Sequence, residues 1–368
     1  MRNVIIIKRR IVLSGGFLLG SGALFFASFI PGFFNIYTPW SKWISGAVGF
    51  VVSFAPFSVA EILLYGLILY LLYSLVRSII RSVSRTGGAL YLARFGVTLL
   101  AIASAAVFSF LAMWGLMYRA PPLEERLGFT VKEYGQSELH VLAEWLVTRV
   151  NEEAALVRRD EDGAMDASFG ELAGMTERAV KKLAGETPVF SGGTVTRPKR
   201  VTAYIFMDYY YIGGIYSPFT GECNVNPNAA PAFLPEMMAH EMSHRLGIAP
   251  EEDAGFAAFL ICIGAENPEV RYSGYWGALR SCLSKIDDEV MKAALYDALT
   301  PLVYNESRKQ EELTAYMDKD LAKVTAAVSE TVNDGYLKAM GQDDGVKSYG
   351  RMTDLLLAWY YSRSDSGE

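Results

Sequence analysis

Hydrophobic and polar positions divide the chain near residue 118. From Ile11 to Ser41 no residue is charged, and IVLSGGFLLGSGALFFASFI (11–30) is long enough to cross ~30 Å of hydrocarbon at 1.5 Å per residue. A second apolar run reads from about Phe57 to Ile80 and a third from about Phe95 to Tyr118. The stretch between the first two, TPWSKWISGAVGFVVSFAP, is apolar but broken by Gly and Pro. With Trp40 and Trp43 in it, it suits a headgroup-level segment or re-entrant turn better than a fourth crossing. The first run is too long for the apolar core of a usual signal peptide and further runs follow it, so it reads as an uncleaved anchor.

Beyond residue 118 the pattern changes. Residues 119–135 begin as a short linker, YRAPPLEERLGFT, and 136–361 read as a folded extracytoplasmic domain. SELHVLAEWLVTRVNEEAALV places Leu139, Leu142, Trp145, Leu146 and Val150 at helical spacing. GAMDASFGELAGMTERAVKKLAG predicts a second helix closed by Gly185. RVTAYIFMDYYYIGGIYSPF is rich in β-branched and aromatic residues and predicts one or two strands turning at Gly213-Gly214. From Leu234 the pattern is helical almost to the end, and only 362–368 reads as a disordered tail. The expected class is α+β, a mostly helical domain with a small sheet behind three transmembrane helices.

Charge sharpens this division. Residues 1–117 hold nine Lys or Arg against the single acid Glu61, a surplus of +8, whereas the remainder holds 25 basic against 39 acidic residues, or −14. The soluble half carries no basic surplus, which argues against nucleic-acid binding. Arg2, Lys8, Arg9 and Arg10 precede the first span, and Arg77, Arg81, Arg85 and Arg94 separate the second from the third, against Lys42 alone between the first two. The positive-inside rule places both basic segments in the cytoplasm and everything after Arg119 outside a cytoplasmic membrane crossed three times. Glu61 falls near the outer interface, where a structural or interfacial role is expected; with no chain of intramembrane polar groups visible, a transporter is disfavoured. Cys223, Cys262 and Cys282 make no disulfide framework, leaving a Cys262–Cys282 bridge or free buried thiols.

The chemistry concentrates in MMAHEMSHRLGIAPEEDAGFAAFL (237–260), which holds two of the chain's three histidines. His240, Glu241 and His244 form H-E-x-x-H. On a helix, residues four apart lie about 40° apart around the axis and one turn apart along it, so both imidazoles can reach one ion at ~2.0–2.1 Å. Glu241 sits beside that pair, placed to take a proton from water rather than to bind metal. Pro235 suits the first helical turn and Gly247 the C-cap. A third ligand is expected from the acids opening the next helix: Glu251 is favoured, with Glu252 and Asp253 as alternates. Ala254, Gly255, Ala258 and Cys262 follow Glu251 on a stripe of small residues that would let the two helices approach. A zincin binds substrate as an added strand, and IYSPFTGECNVN could supply that edge. Tyr272, Tyr275 and Tyr216 are the candidate oxyanion or substrate-binding residues.

PFSVAE, SPFTGECNVN, HEMSHRLG followed by EEDAGFAAFL, and RYSGYW occur here in that order. Together they resemble an uncharacterised bacterial family with three membrane helices and an extracytoplasmic domain of gluzincin-like zinc-peptidase character. The resemblance implies zinc at His240 and His244, a catalytic Glu241 and an acid of the Glu251 cluster completing the ligand set. That family tends to read Glu-Asp-Glu-Ala-Asn where this chain has Glu251 to Gly255, so Gly255 stands in place of an amide. A metzincin would need a ligand at Pro250 and is excluded. The expected function is zinc-dependent hydrolysis of a peptide or protein substrate. The alternative is a non-catalytic membrane protein with a structural zinc, closed by Cys223 or His140 as fourth ligand.

Overall fold

The computed structural model describes residues 2–84, 88–341 and 351–366. Four helices open the chain: α1 (Arg2–Ala27), α2 (Phe33–Val52), α3 (Val59–Ser84) and α4 (Ala89–Met113). Three are long and apolar enough to cross a membrane, over Asn3–Ala27, Val59–Ser84 and Ala89–Met113, and α1 and α3 both pack on α4. Arg85 lies outside the described residues. The boundaries expected at 11–30 and 95–118 shift for local reasons. α1 stops short of Pro31 and left-handed Gly32 (φ 80°). After α4 the chain tightens into a 3-10 turn over Gly115–Arg119, and Trp114 to Tyr118 are buried, so their apolar character serves protein packing rather than lipid.

α2 is a continuous helix with its apolar face turned outward. Its buried stripe is small or polar: Tyr37, Ser41, Lys42, Ser45, Gly46 and Gly49. Ile36, Trp40, Trp43, Phe50 and Val51 are exposed. The stripe fastens to the end of α4, where the Tyr37 hydroxyl donates to the Leu111 carbonyl (2.6 Å), Trp40 Nε1 to Ala112 (3.2 Å) and Ser41 Oγ to Met113 (2.5 Å). Its other contacts reach past the apolar helices: Lys42 Nζ donates to the carbonyls of Val189 (3.0 Å) and Ser191 (2.8 Å).

The rest of the chain forms α5 (Leu123–Leu127), α6 (Gln136–Ala154), α7 (Phe169–Glu186), α8 (Tyr204–Tyr209), α9 (Leu234–Arg245), α10 (Glu251–Ile263), α11 (Pro268–Leu283), α12 (Glu289–Asp297), α13 (Pro301–Leu313), α14 (Lys319–Ala339) and α15 (Arg351–Ser366). A three-stranded sheet, β1 (Lys199–Arg200), β2 (Gly214–Ser217) and β3 (Glu222–Val225), has the order β1-β3-β2, with β1 parallel and β2 antiparallel to β3. The core lies among α6, α7, α9, α10 and α11, filled by residues such as Leu142, Leu146, Leu172, Met238, Phe256 and Leu279.

Several expected boundaries give way to stronger local signals. Residues 119–135 are no bare linker, because they carry α5 and bury Leu123 completely. α7 starts at Phe169 and not near Gly163, because Ser168 and Glu171 close a reciprocal capping box there; it runs through Gly185 to Glu186. YIFMDY forms helix α8 where a strand was expected. Glu61 meets the backbone N–H of Thr202 and Ala203 just ahead of this helix, and Phe206 stacks on Tyr210 one turn later (4.4 Å). α15 continues to Ser366 through part of the predicted disordered tail, since no Pro or Gly interrupts the chain before Gly367. The three cysteines are free and buried; Cys262 faces Gly274 of α11, so no Cys262–Cys282 bridge forms.

The sheet is clamped to the apolar helices. The Glu222 carboxylate accepts from the backbone N–H groups of Val59 (3.0 Å) and Ala60 (2.7 Å), capping α3, and pairs with Lys199 Nζ at 2.7 Å. Glu222 is buried and the Lys199 side chain is only 10% exposed. Glu222→Ala would leave a largely buried ammonium and uncapped N–H groups, so we expect a loss of roughly 3–5 kcal/mol. It would be read as a lower thermal midpoint of the full-length protein in detergent; an unchanged midpoint would show that the clamp contributes nothing.

Candidate metal centre

α9 forms where Pro235 occupies the first turn and Gly247, with φ 81°, turns the chain out of the helix. Pro250 then lets α10 begin directly at Glu251. This short reversal brings Glu251 across from the two histidines. His240 Nε2 lies 3.1 Å from Glu251 Oε2, and His244 Nε2 lies 3.6 Å from Glu251 Oε1. One donor atom from each of the three residues lies within 4.8 Å of the others. Donors of a tetrahedral ion with bonds of ~2.0–2.1 Å sit roughly 3.3 Å apart, close to the two spacings from Glu251, and two imidazoles with a carboxylate are donors suited to zinc.

The imidazoles are held ready for such a role. His244 Nδ1 donates to the Ile248 carbonyl (2.8 Å), which fixes the tautomer and leaves Nε2 to face Glu251. The His244 carbonyl accepts from Trp114 Nε1 (2.9 Å), and the indole meets the His244 ring edge-on at 5.7 Å. Burial draws the His240 pKa down, but the bonded Glu251 carboxylate more than offsets this and holds it at about 9. Burial likewise pushes Glu251 up, yet His244 and His240 pull it well below the ordinary carboxylate range. Glu252 and Asp253 do not join the cluster. The Asp253 carboxylate turns to the Leu123 N–H (3.2 Å), and burial beside Glu252 raises its pKa to about 7. A Cβ at Gly255 would meet Met352 of α15 at 2.9 Å, so this member of the small-residue stripe serves α15 rather than α9. Among the described residues no fourth protein donor joins the group. Cys223 Sγ instead donates to the Glu241 carbonyl (3.3 Å), and His140 sits on α6.

Glu241 meets the edge of the sheet. The Asn226 N–H donates to the Gly213 carbonyl, and antiparallel alternation then turns the backbone of Ile215 and Ser217 toward β3. Gly214 and Tyr216 present theirs on the outer side, and the Tyr216 N–H bonds the Glu241 carboxylate. Burial raises the Glu241 pKa despite the opposing pull of His240 and His244. A Cβ on Gly214 would fall 2.5 Å from Glu241 Cγ and 2.6 Å from its Oε1. Gly214 therefore permits the carboxylate's position. Its φ is not left-handed, so Ala is tolerable to the backbone itself. If Glu241 acts in hydrolysis, we expect Gly214→Ala to lower kcat by roughly 10- to 100-fold with zinc content and KM little changed, since displacements near 1 Å cost about that much. Wild-type steady-state kinetics would remove Gly214 from the site.

The tyrosines expected to assist separate. Tyr272 is fully buried under the Arg159 guanidinium (5.3 Å), and Tyr275 packs on Trp145 and Phe259; neither lines the cleft that opens over the metal group. They fail as candidates because α11 is a core helix. Tyr216 lines the cleft, but its hydroxyl is buried toward Ser45 of α2 and burial lifts its pKa to about 12. Tyr336 of α14, missed in the sequence, faces the cleft within the field of Glu251 and packs on Tyr118 (5.8 Å). The only signal for it was the spacing of Val328, Val332 and Tyr336, four apart on a largely polar helix. Trp114 was missed because it extends an apolar run.

The fold and this site define a mostly helical protein with a small sheet, three helices fit to cross a membrane, and a His/Glu group able to hold a metal ion. The chain belongs to DUF3810, a family of proteins of unknown function, whose model matches residues 37–357. No curated protein and no solved structure matches it.

Proposed function

We propose that this protein is a membrane-anchored, zinc-dependent metallopeptidase whose α5–α15 portion works outside the cytoplasmic membrane. The observation that carries this reading is the convergence of His240, His244 and Glu251 beside a non-ligating Glu241 at an open strand edge. A zinc ion held by those three residues would polarise a scissile carbonyl and acidify a water molecule. Glu241 accepts the proton of that water and delivers it to the leaving nitrogen, a role suited by a carboxyl whose pKa burial has raised. The substrate lies along the outer side of β2, bonded to the Gly214 backbone and the Tyr216 carbonyl, while the Tyr216 N–H stays with Glu241. Tyr336 donates to the carbonyl oxygen as its negative charge develops. A structural zinc gains no support, since neither Cys223 nor His140 approaches the group.

The test uses the full-length protein in detergent micelles. We expect about one zinc per chain by mass spectrometry of metals, hydrolysis of a mixed peptide library, loss of that activity with a chelator and its return with zinc. Stoichiometric zinc without hydrolysis, or hydrolysis indifferent to the chelator, would refute the assignment.

A further inference from the structure

The cleft over the metal group starts where an apolar helix ends. Trp114, bonded to the His244 carbonyl, is the first residue after α4, and Phe110 in the last turn of α4 lines the cleft. α2 is fastened to Leu111, Ala112 and Met113 and turns Trp40 and Trp43 outward, 5.6 Å apart. Exposed indoles at the end of an apolar helix mark headgroup depth. If α4 crosses the bilayer, the metal group therefore lies at the membrane surface rather than on a stalk above it.

The cleft itself, about 1100 Å³, is apolar at its mouth. Phe206, Ile215, Phe219, Val328 and Val332 line it and are exposed. Its charged lining residues outside the metal group are Glu236, Glu241 and Glu330, and no Lys or Arg lines it among the described residues. Such a cleft offers no cation to a terminal carboxylate or to an acidic peptide, so it suits an internal segment.

We infer that the site takes an internal, apolar polypeptide segment that borders the bilayer, that is, the stretch of a second membrane-anchored chain immediately outside its transmembrane helix. The segment lies on the β2 edge, with its side chains against Phe219 and Val332 and its membrane-side end toward Phe110. This rests on the peptidase reading for the cleavage itself, but its positional content can be measured apart from cleavage.

The full-length protein is placed in vesicles with a quenched fluorescent peptide carried on a single transmembrane helix. The apolar core of the peptide either abuts that helix or is separated from it by about 15 Gly/Ser residues, reaching roughly 20 Å. Both versions share one bilayer and hence nearly one local concentration, so a difference reports depth. We expect the abutting core to be cut at least about tenfold faster. In parallel, the Glu241→Gln protein carries a photo-crosslinking phenylalanine analogue at position 219, and crosslinking to each peptide is scored. Spacer-dependent crosslinking without hydrolysis would keep the inference and defeat the peptidase reading. Hydrolysis with equal rates for the two spacers, or faster with the longer, would overturn the inference and keep the peptidase. Neither hydrolysis nor spacer-dependent crosslinking would overturn both.

Discussion

Glu241→Gln is expected to lower kcat/KM for peptide hydrolysis by roughly 10²- to 10⁴-fold, the range for loss of a positioned general base. Zinc content should stay at the wild-type level, because the candidate donors are His240, His244 and Glu251, and Glu241 is not one of them. Gln keeps the shape of the side chain and an oxygen for the Tyr216 N–H, so the packing against Gly214 is preserved. What it loses is the capacity to take up and release a proton. A fall in kcat with unaltered zinc stoichiometry is the signature; retention of wild-type turnover would remove Glu241 from the mechanism.

The second large effect concerns Glu251. If Glu251 is a ligand, Glu251→Gln should weaken zinc binding by more than about a hundredfold, the upper scale for losing a partner one step removed from a metal. A pH signature accompanies it. Zinc binds the neutral imidazole, whereas His240 beside Glu251 holds a proton up to about pH 9. Wild-type affinity should thus fall about tenfold per pH unit as pH drops below about 9, each bound zinc displacing that proton. In Glu251→Gln the main group raising the pKa is gone, leaving only Glu241 and Glu236 against burial, so the slope between about pH 7 and 9 should flatten. Zinc titrations in buffers of different ionisation enthalpy count the released protons. A slope unchanged by the substitution would mean that Glu251 does not share the proton with His240.

Much of the candidate site was legible because helix geometry converts spacing into proximity. His240 and His244 needed only one turn of α9, and Glu251 needed only the Gly247 and Pro250 punctuation that starts a new helix at once. The apolar runs likewise marked three helices in the expected order, with ends moved by two to eight residues. What could not be read depends on distant partners. Gly214 looked like a turn residue until Glu241 was placed against it. Trp114 continued an apolar run, and only tertiary packing distinguishes an indole in lipid from one under a histidine. In α2 the outward face is the apolar one, a reversal meaningful only once its small, polar stripe has a protein surface to meet. Tyr272 and Tyr275 were candidates alongside Tyr216, yet α11 turns them into the core.

Trp114 also bears on how such a protein could be released from a cell. A cut just after Tyr118 would separate the C-terminal portion from its anchor, but the indole under His244 and all of α2 would stay behind. Loss of that buried indole alone costs roughly 3–5 kcal/mol, and the His244 carbonyl keeps only its local backbone donors such as the Gly247 N–H. A fragment released in that way would thus lose part of the packing that holds His244 in place.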